Sequence, residues 1–167
     1  MTVKLRSVIV AVIAGLLLLT GCSTPPAANV GVRVGDQTIG TSEIDEVIAL
    51  IGERTEYQVQ NTTILQVFAA SAVAEQYAAD RDVAVSEADI EALVGTDAIF
   101  QQLGDDAVAK AFERRVIRTS LIAKQITSTE SLQEYDVVLN PRYGVTWNAA
   151  DSTLVTGSTS LSTLHTS

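Results

Sequence analysis

One thiol stands in the chain, Cys22, and its neighbours decide what it can do. It follows Leu19-Thr20-Gly21, and ahead of these lie Lys4, Arg6 and an uncharged apolar run from Val8 to Leu19. A basic end that stays inside, a run that enters the bilayer and small residues that admit a processing enzyme make an export signal with a lipobox. The chemistry expected at Cys22 is a thioether to diacylglycerol, followed by cleavage just ahead of it. The run is shorter than the roughly 20 apolar residues of a spanning helix, which favours cleavage over a permanent span. Acyl chains contribute about 0.8 kcal/mol per buried methylene, so two of them form a stable anchor. The expected place of the chain is therefore the extracytoplasmic face of the cell membrane, lipid-anchored. A single cysteine leaves the mature chain no internal disulfide.

Other reactive constellations are sparse. His165 is the only histidine and stands in a Ser/Thr-rich tail, a poor platform for a base, a nucleophile pair or a metal. Asp105-Asp106 and Glu43, Asp45 and Glu46 could be carboxylate pairs, yet each group falls where a helix should start and compensates its dipole. Gly31, Gly35 and Gly40 are too widely spaced to cradle a phosphate. Asn61-Thr62-Thr63 matches a glycosylation acceptor and reads as coincidence behind a bacterial lipobox. No catalytic residue, metal site, nucleotide or other cofactor is expected, and the chain is read as a non-enzyme. Loss of Lys4 and Arg6 with residues 1–21 takes the formal charge from −9 to −11, which argues against nucleic acid and against adhesion to anionic headgroups.

Binding is the remaining chemistry. Phe68, Tyr77, Phe100 and Phe112, with Tyr57, could line an apolar groove for unfolded peptide, although most aromatic residues of this kind end in a core.

The elements that must position them follow from periodicity. Residues 22–29, with Pro25-Pro26, read as a lipidated tether. Val30, Val32 and Val34 alternate, Gly35-Asp36 interrupts and Gln37-Thr38-Ile39 resumes, which predicts a hairpin with a two-residue turn. Thr41 and Ser42 offer capping hydroxyls to a helix carrying Ile44, Val47, Ile48 and Ile51 as far as about Arg54. An alanine-rich helix from Thr62 to about Arg81 should bury Leu65, Phe68, Ala69, Ala72 and Ala79. Ser86 and Asp89 suggest a capping box for a short helix ending near Gly95. A further turn holds Ala98, Ile99 and Phe100, and Asp105-Asp106 opens a long helix to about Thr127 whose Arg114, Arg115, Arg118 and Lys124 should form a solvated basic face. Tyr135 to Leu139 reads as a strand able to join the hairpin, broken by Asn140-Pro141 and resumed weakly at Val145 to Trp147. Residues 150–167 are too polar and aperiodic to fold alone and are expected to be disordered. The expected fold is α+β, mainly α, with a body of four to five helices bracketed by an N-terminal β-hairpin and a C-terminal closing strand.

Taken together, the lipobox, Val-Arg-Val-Gly-Asp-Gln-Thr-Ile, the Ser-Glu-Ile-Asp helix start and the closing run Asn140, Pro141, Arg142, Tyr143 and Gly144 resemble lipoproteins of actinobacteria with a SurA-type N-terminal chaperone domain. The resemblance covers residues 30 to about 160, with the domain itself set at 30–149. It implies a peptide-binding relative of SurA, PrsA and trigger factor. A parvulin isomerase domain has no room here, since only Ser128 to Glu134 separate the helical body from the closing strand. Trp147 departs from the pattern by one position, and Asn148 replaces an acidic residue, which leaves the register of the last strand open. The function this implies is that of an ATP-independent holdase for unfolded exported polypeptides. The alternative is an envelope lipoprotein that binds or scaffolds one defined partner, because fold alone does not fix function.

Overall fold

In the computed structural model, residues 27–55 and 59–156 are described. The signal, Cys22, Tyr57 and His165 lie outside them. Val30–Val34 (β1) and Gln37–Gly40 (β2) form the expected hairpin, with Val34 opposite Gln37 across the Gly35-Asp36 turn. Gly35 takes φ +53°, and the Asp36 amide donates to Gln76 Oε1 at 3.0 Å, so a helix pins the turn. Val137–Leu139 (β3) pairs antiparallel with β1, Val32 facing Leu139 and Val34 facing Val137, which gives the sheet order β2-β1-β3. The two ends of the domain thus share one sheet.

Val145–Asn148 (β4) does not extend that sheet. It pairs with Thr153–Thr156 (β5) in a separate ribbon, with Trp147 opposite Leu154. The expectation of disorder from residue 150 is therefore corrected as far as Thr156. Asn148 turns the chain, accepting from the Ala150 amide at 3.1 Å and donating to Asp151 Oδ2 at 2.8 Å. Val155 and the threonines then suit a strand, while Leu154 packs inward against the core. Residues 157–167 lie outside the described part.

Among the described residues five α-helices make the body: Thr41–Arg54 (α1), Asn61–Asp80 (α2), Glu87–Glu91 (α3), Ala98–Leu103 (α4) and Ala107–Ala123 (α5). The fold is α+β and mainly helical, as the periodicity indicated. α1 buries Ile44, Val47, Leu50 and Ile51. Its cap is Gly40 with no side-chain bond, not Thr41 or Ser42; Thr41 is already helical and its amide donates to Asn29 O at 2.9 Å. Ser86, Asp97 and Asp106 do cap their helices, accepting from the amides of Asp89, Ile99 and Val108. α5 stops at Ala123, about one turn earlier than its pattern suggests.

α2 is covered on nearly every side. Ile64, Leu65, Phe68, Ala69, Ser71, Ala72, Val73 and Ala74 are all buried, whereas Ala79 at its end is exposed. It packs on the sheet, on α1 and on α5. Contacts with α5 advance in step: Phe68 meets Phe112, Ser71 meets Arg115, and Glu75 meets Arg118. The two helices therefore run parallel, and the alanines of α2 permit their close approach.

The arginines of α5 are not a solvated basic face. Arg114 pairs with Glu87 and Glu91 of α3, Arg115 with Glu43 of α1, and Arg118 with Glu75 of α2. Each reaches a different neighbour because α5 lies between them. Because these pairs are partly open to solvent, they set register more than stability.

Candidate functional site

α1, α2, α4 and α5 do not close completely on one another. Between them lies an apolar cleft of about 660 Å³. Ile51 comes from α1, Ile64 and Val67 from α2, Ile99, Phe100 and Leu103 from α4, and Phe112 and Val116 from α5. Only Thr55, Thr63 and Gln102 bring polar side chains to the lining, and the Thr55 hydroxyl already donates to Ile51 O at 2.9 Å. Ile99 is 60 % exposed, an unusual position for an isoleucine of an ordered helix.

The wall on the α4 side is fastened to α1. Arg54 Nη1 donates to Leu103 O at 3.0 Å, and Nη2 lies 3.9 Å from Asp106 Oδ2. The donor bond occupies one of the carbonyls that end a six-residue helix, where intrahelical partners run out. Phe100 meets Phe112 edge to face with centroids 5.9 Å apart, which fixes the floor of the cleft.

A second, separate hollow lies further along α2 and α5. Thr63, Val67, Ala70 and Ala74 share one face of α2, and Phe112, Val116, Thr119 and Ala123 share one face of α5, by the helical spacing of three to four residues. Both hollows thus lie along the seam between the parallel helices, within about 16 Å from Thr63 to Ala74 at 1.5 Å per residue. The second hollow, about 130 Å³, is bounded by Ala70, Val73 and Ala74 on one side and by Trp147 and Ser152 on another.

Of the four aromatic residues singled out for peptide binding, the structure brings two to this cleft. Phe112, 7 % exposed, and Phe100 line it. Phe68 is 0 % exposed, lodged between Phe112 and the Arg115 guanidinium. Tyr77 is 5 % exposed beneath Arg81, whose Cζ is 4.4 Å from the ring centroid. Both belong to the core because α2 has almost no free face. The aliphatic lining escaped sequence reasoning, yet Ile99 beside Phe100 between two turn signals carried a clue: two adjacent large apolar residues on one helical turn point in different directions.

The closing motif holds the fold together. Asn140 is 7 % exposed; its Nδ2 donates to Val30 O at 2.8 Å and Ala28 O at 3.3 Å, and its Oδ1 accepts from the Arg142 amide at 3.1 Å. Pro141 opens a short 3₁₀ turn, and Gly144 ends it in the left-handed region at φ +63°. Arg142 pairs with Asp45 at 2.7 Å and lies over Tyr143, whose ionisation is pushed up by burial and then by Asp45. These five residues tie the N-terminal strand to the C-terminal one and do not touch the cleft.

The carboxylates are also accounted for structurally: Asp106 caps α5, Asp105 pairs with Lys110 at 2.9 Å, and Glu43 and Asp45 pair with arginines. Tyr135 has its ionisation raised by burial and by its bond to Asp80. Arg81 and Arg114 are held charged by Glu134 and Glu91. None of these groups lines the cleft. Among the described residues no cluster of His, Cys, Asp or Glu could hold a metal ion, and no helix is long and apolar enough to cross a membrane.

No protein-family model, curated protein or solved structure matches this chain.

Proposed function

We propose that this chain is a membrane-anchored, extracytoplasmic holdase that retains apolar segments of unfolded exported polypeptides without ATP. The observation that carries the reading is the apolar cleft of about 660 Å³ with Ile99 exposed at its edge. The lipobox at Cys22 and the resemblance of residues 30 to about 160 to SurA-type domains support it from the sequence. A Leu or Phe side chain moved from water into such a cleft gains about 1.5–3 kcal/mol, and association costs several kcal/mol. Two inserted side chains therefore bind weakly and release readily. With so few polar groups in the lining, little fixes the identity or direction of the bound segment. Weak, sequence-tolerant capture is what a holdase needs.

The cleft volume also lies in the range of sites for a single small apolar ligand, about 300–1,000 Å³, which favours a second reading as a binding module for one defined partner. Selectivity separates the two. Arrayed peptides of varied sequence, probed with the mature chain carrying Cys22→Ser, should bind broadly with apolar and aromatic preference. Ile99→Asp should weaken that binding at least about ten-fold, since it sets a carboxylate at the mouth of an apolar site. A blank array, or binding indifferent to Ile99→Asp, would remove the holdase reading.

A further inference from the structure

α4 supplies one wall of the cleft and is itself barely embedded. Ala98, Ile99, Phe100, Gln102 and Leu103 all line the opening, yet Leu103 alone of the helix is buried. Phe100 also borders a further hollow of about 250 Å³, shared with Val94, Gly95 and Glu113. A ring that borders two hollows is not locked in place as it would be in a close-packed interior.

Both ends of α4 are glycine joints held from outside. Gly95 stands two residues ahead of the Asp97 cap at φ +75°, and a Cβ there would meet nothing within 4 Å. Gly104 ends the helix at φ +76° and ψ −168°, a region open essentially to glycine alone. Each joint is pinned. The Gly95 amide donates to Oε1 of the buried Glu113 at 2.8 Å, and Arg54 holds the Leu103 carbonyl at 3.0 Å. Between the pins the hydrogen bonds are local, from the Ile99 amide to Asp97 Oδ1 and from Gln101 Nε2 to Gly95 O. Pinned ends, joints that absorb backbone rotation and a shallowly packed middle allow the helix to roll as a unit.

The direction of the roll follows from what is left uncovered. Ile99, 60 % exposed, and Val59, 37 % exposed, line the same cleft from different segments, α4 and the stretch just ahead of α2. An apolar occupant gives Ile99 a surface to bury against that the open cleft lacks.

We propose that α4 is a lid over the cleft, rolling between Gly95 and Gly104 so that Ile99 swings inward toward Val59 when an apolar ligand enters. This rests on the reading of the cleft as a binding site and adds how that site closes. The closed form is a minor population of the free chain, and the ligand shifts the balance toward it.

Methyl NMR of the isoleucines and valines in the mature chain carrying Cys22→Ser tests the lid. Without ligand, relaxation dispersion should show microsecond-to-millisecond exchange at the Ile99 δ1-methyl and none at Ile39, Ile44 or Ile122. Saturating 1-anilinonaphthalene-8-sulfonate should suppress that exchange and bring a nuclear Overhauser contact between Ile99 and Val59. Gly95→Asn keeps a residue tolerated at positive φ but narrows the joint, so it should lower the closed population about two- to five-fold while the far-ultraviolet circular dichroism stays unchanged. A flat dispersion profile at Ile99, exchange that Gly95→Asn leaves untouched, or failure of the probe to bring Ile99 to Val59 would each overturn the lid. The peptide array fails separately: broad peptide binding with a motionless Ile99 leaves a holdase with a rigid cleft, and a blank array with a moving Ile99 leaves a lid over a single-ligand site.

Discussion

Asn140→Ala should cost the domain about 3 kcal/mol. The side chain makes three hydrogen bonds, to Val30 O, Ala28 O and the Arg142 amide, and is nearly inaccessible to water. A hydrogen bond contributes about 1 kcal/mol net, and a buried group left without its partner costs about 1–3 kcal/mol, so the loss of three bonds sums to about 3 kcal/mol. The residues bridged are 110 and 112 positions apart, so the contact closes a long loop and its loss is felt globally. For a domain of this size the change lowers Tm by about 10 °C, read by circular dichroism, with urea titrations giving the free energy. Asn140→Ser separates the two roles. Serine can still cap the 3₁₀ turn but cannot reach both carbonyls, so it should recover only about 1 kcal/mol. An alanine variant within about 0.5 kcal/mol of the parent would refute the reasoning, because that is the range of surface substitutions with no structural role. Full recovery by serine would show that the cap, and not the tie between chain ends, is what matters.

Phe68→Ala should lose about 3–5 kcal/mol and unfold the domain at moderate temperature, whereas Ile99→Ala, at an exposed site, should leave stability within about 0.5 kcal/mol; thermal melts of the pair check the division between core and cleft. Tyr135 donates to Asp80 Oδ2 at 3.0 Å and accepts from Arg81 Nη1 at 2.7 Å, and its ionisation lies above its ordinary value near 10. The folded chain thus holds that proton more tightly than the unfolded one, so stability should fall as pH rises past about 10, and Tyr135→Phe should flatten this decline in urea titrations from about pH 8 to about pH 11. If Cys22 carries diacylglycerol as proposed, Cys22→Ser should abolish incorporation of labelled fatty acid into the chain in growing cells; unchanged labelling would count against lipid anchoring.

Much of the architecture was legible because hydrophobic period and cap chemistry agreed. The Val30–Val34 alternation, Gly35-Asp36, Ser86 with Asp89, and Asp106 each signalled an element that forms there. The misreadings have physical causes. Thr41 looked like a cap, but the chain entering from β2 makes Gly40 the cap and leaves Thr41 to bind Asn29. The β5 strand hid in a Ser/Thr-rich sequence, because a two-stranded ribbon owes its stability to packing on α2 and not to its own composition. The arginines of α5 looked solvated because their partners, Glu43, Glu75, Glu87 and Glu91, are remote in sequence. For the cleft, the choice of aromatics was half informative: α4 and α5 placed Phe100 and Phe112 in it, whereas the burial of α2 on nearly all sides took Phe68 and Tyr77 into the core. Which aliphatic residues line an opening depends on where four helices fail to meet, and no local pattern encodes that.

The hold of Gln66 on the β4–β5 ribbon has a dynamic consequence. One amide side chain supplies both hydrogen bonds between that ribbon and α2 across Ser152 and Leu154. An isolated two-stranded ribbon is marginal in water, so it should open as a unit at a free energy well below that of global unfolding. In hydrogen exchange, the amides of β5 should therefore exchange together and ahead of those of β1. Each opening lifts Trp147 and Ser152 from Ala70 and Ala74 and briefly merges two hollows into one uninterrupted channel along the paired helices. The length of the apolar opening is then set by how often the bonds of a single glutamine break.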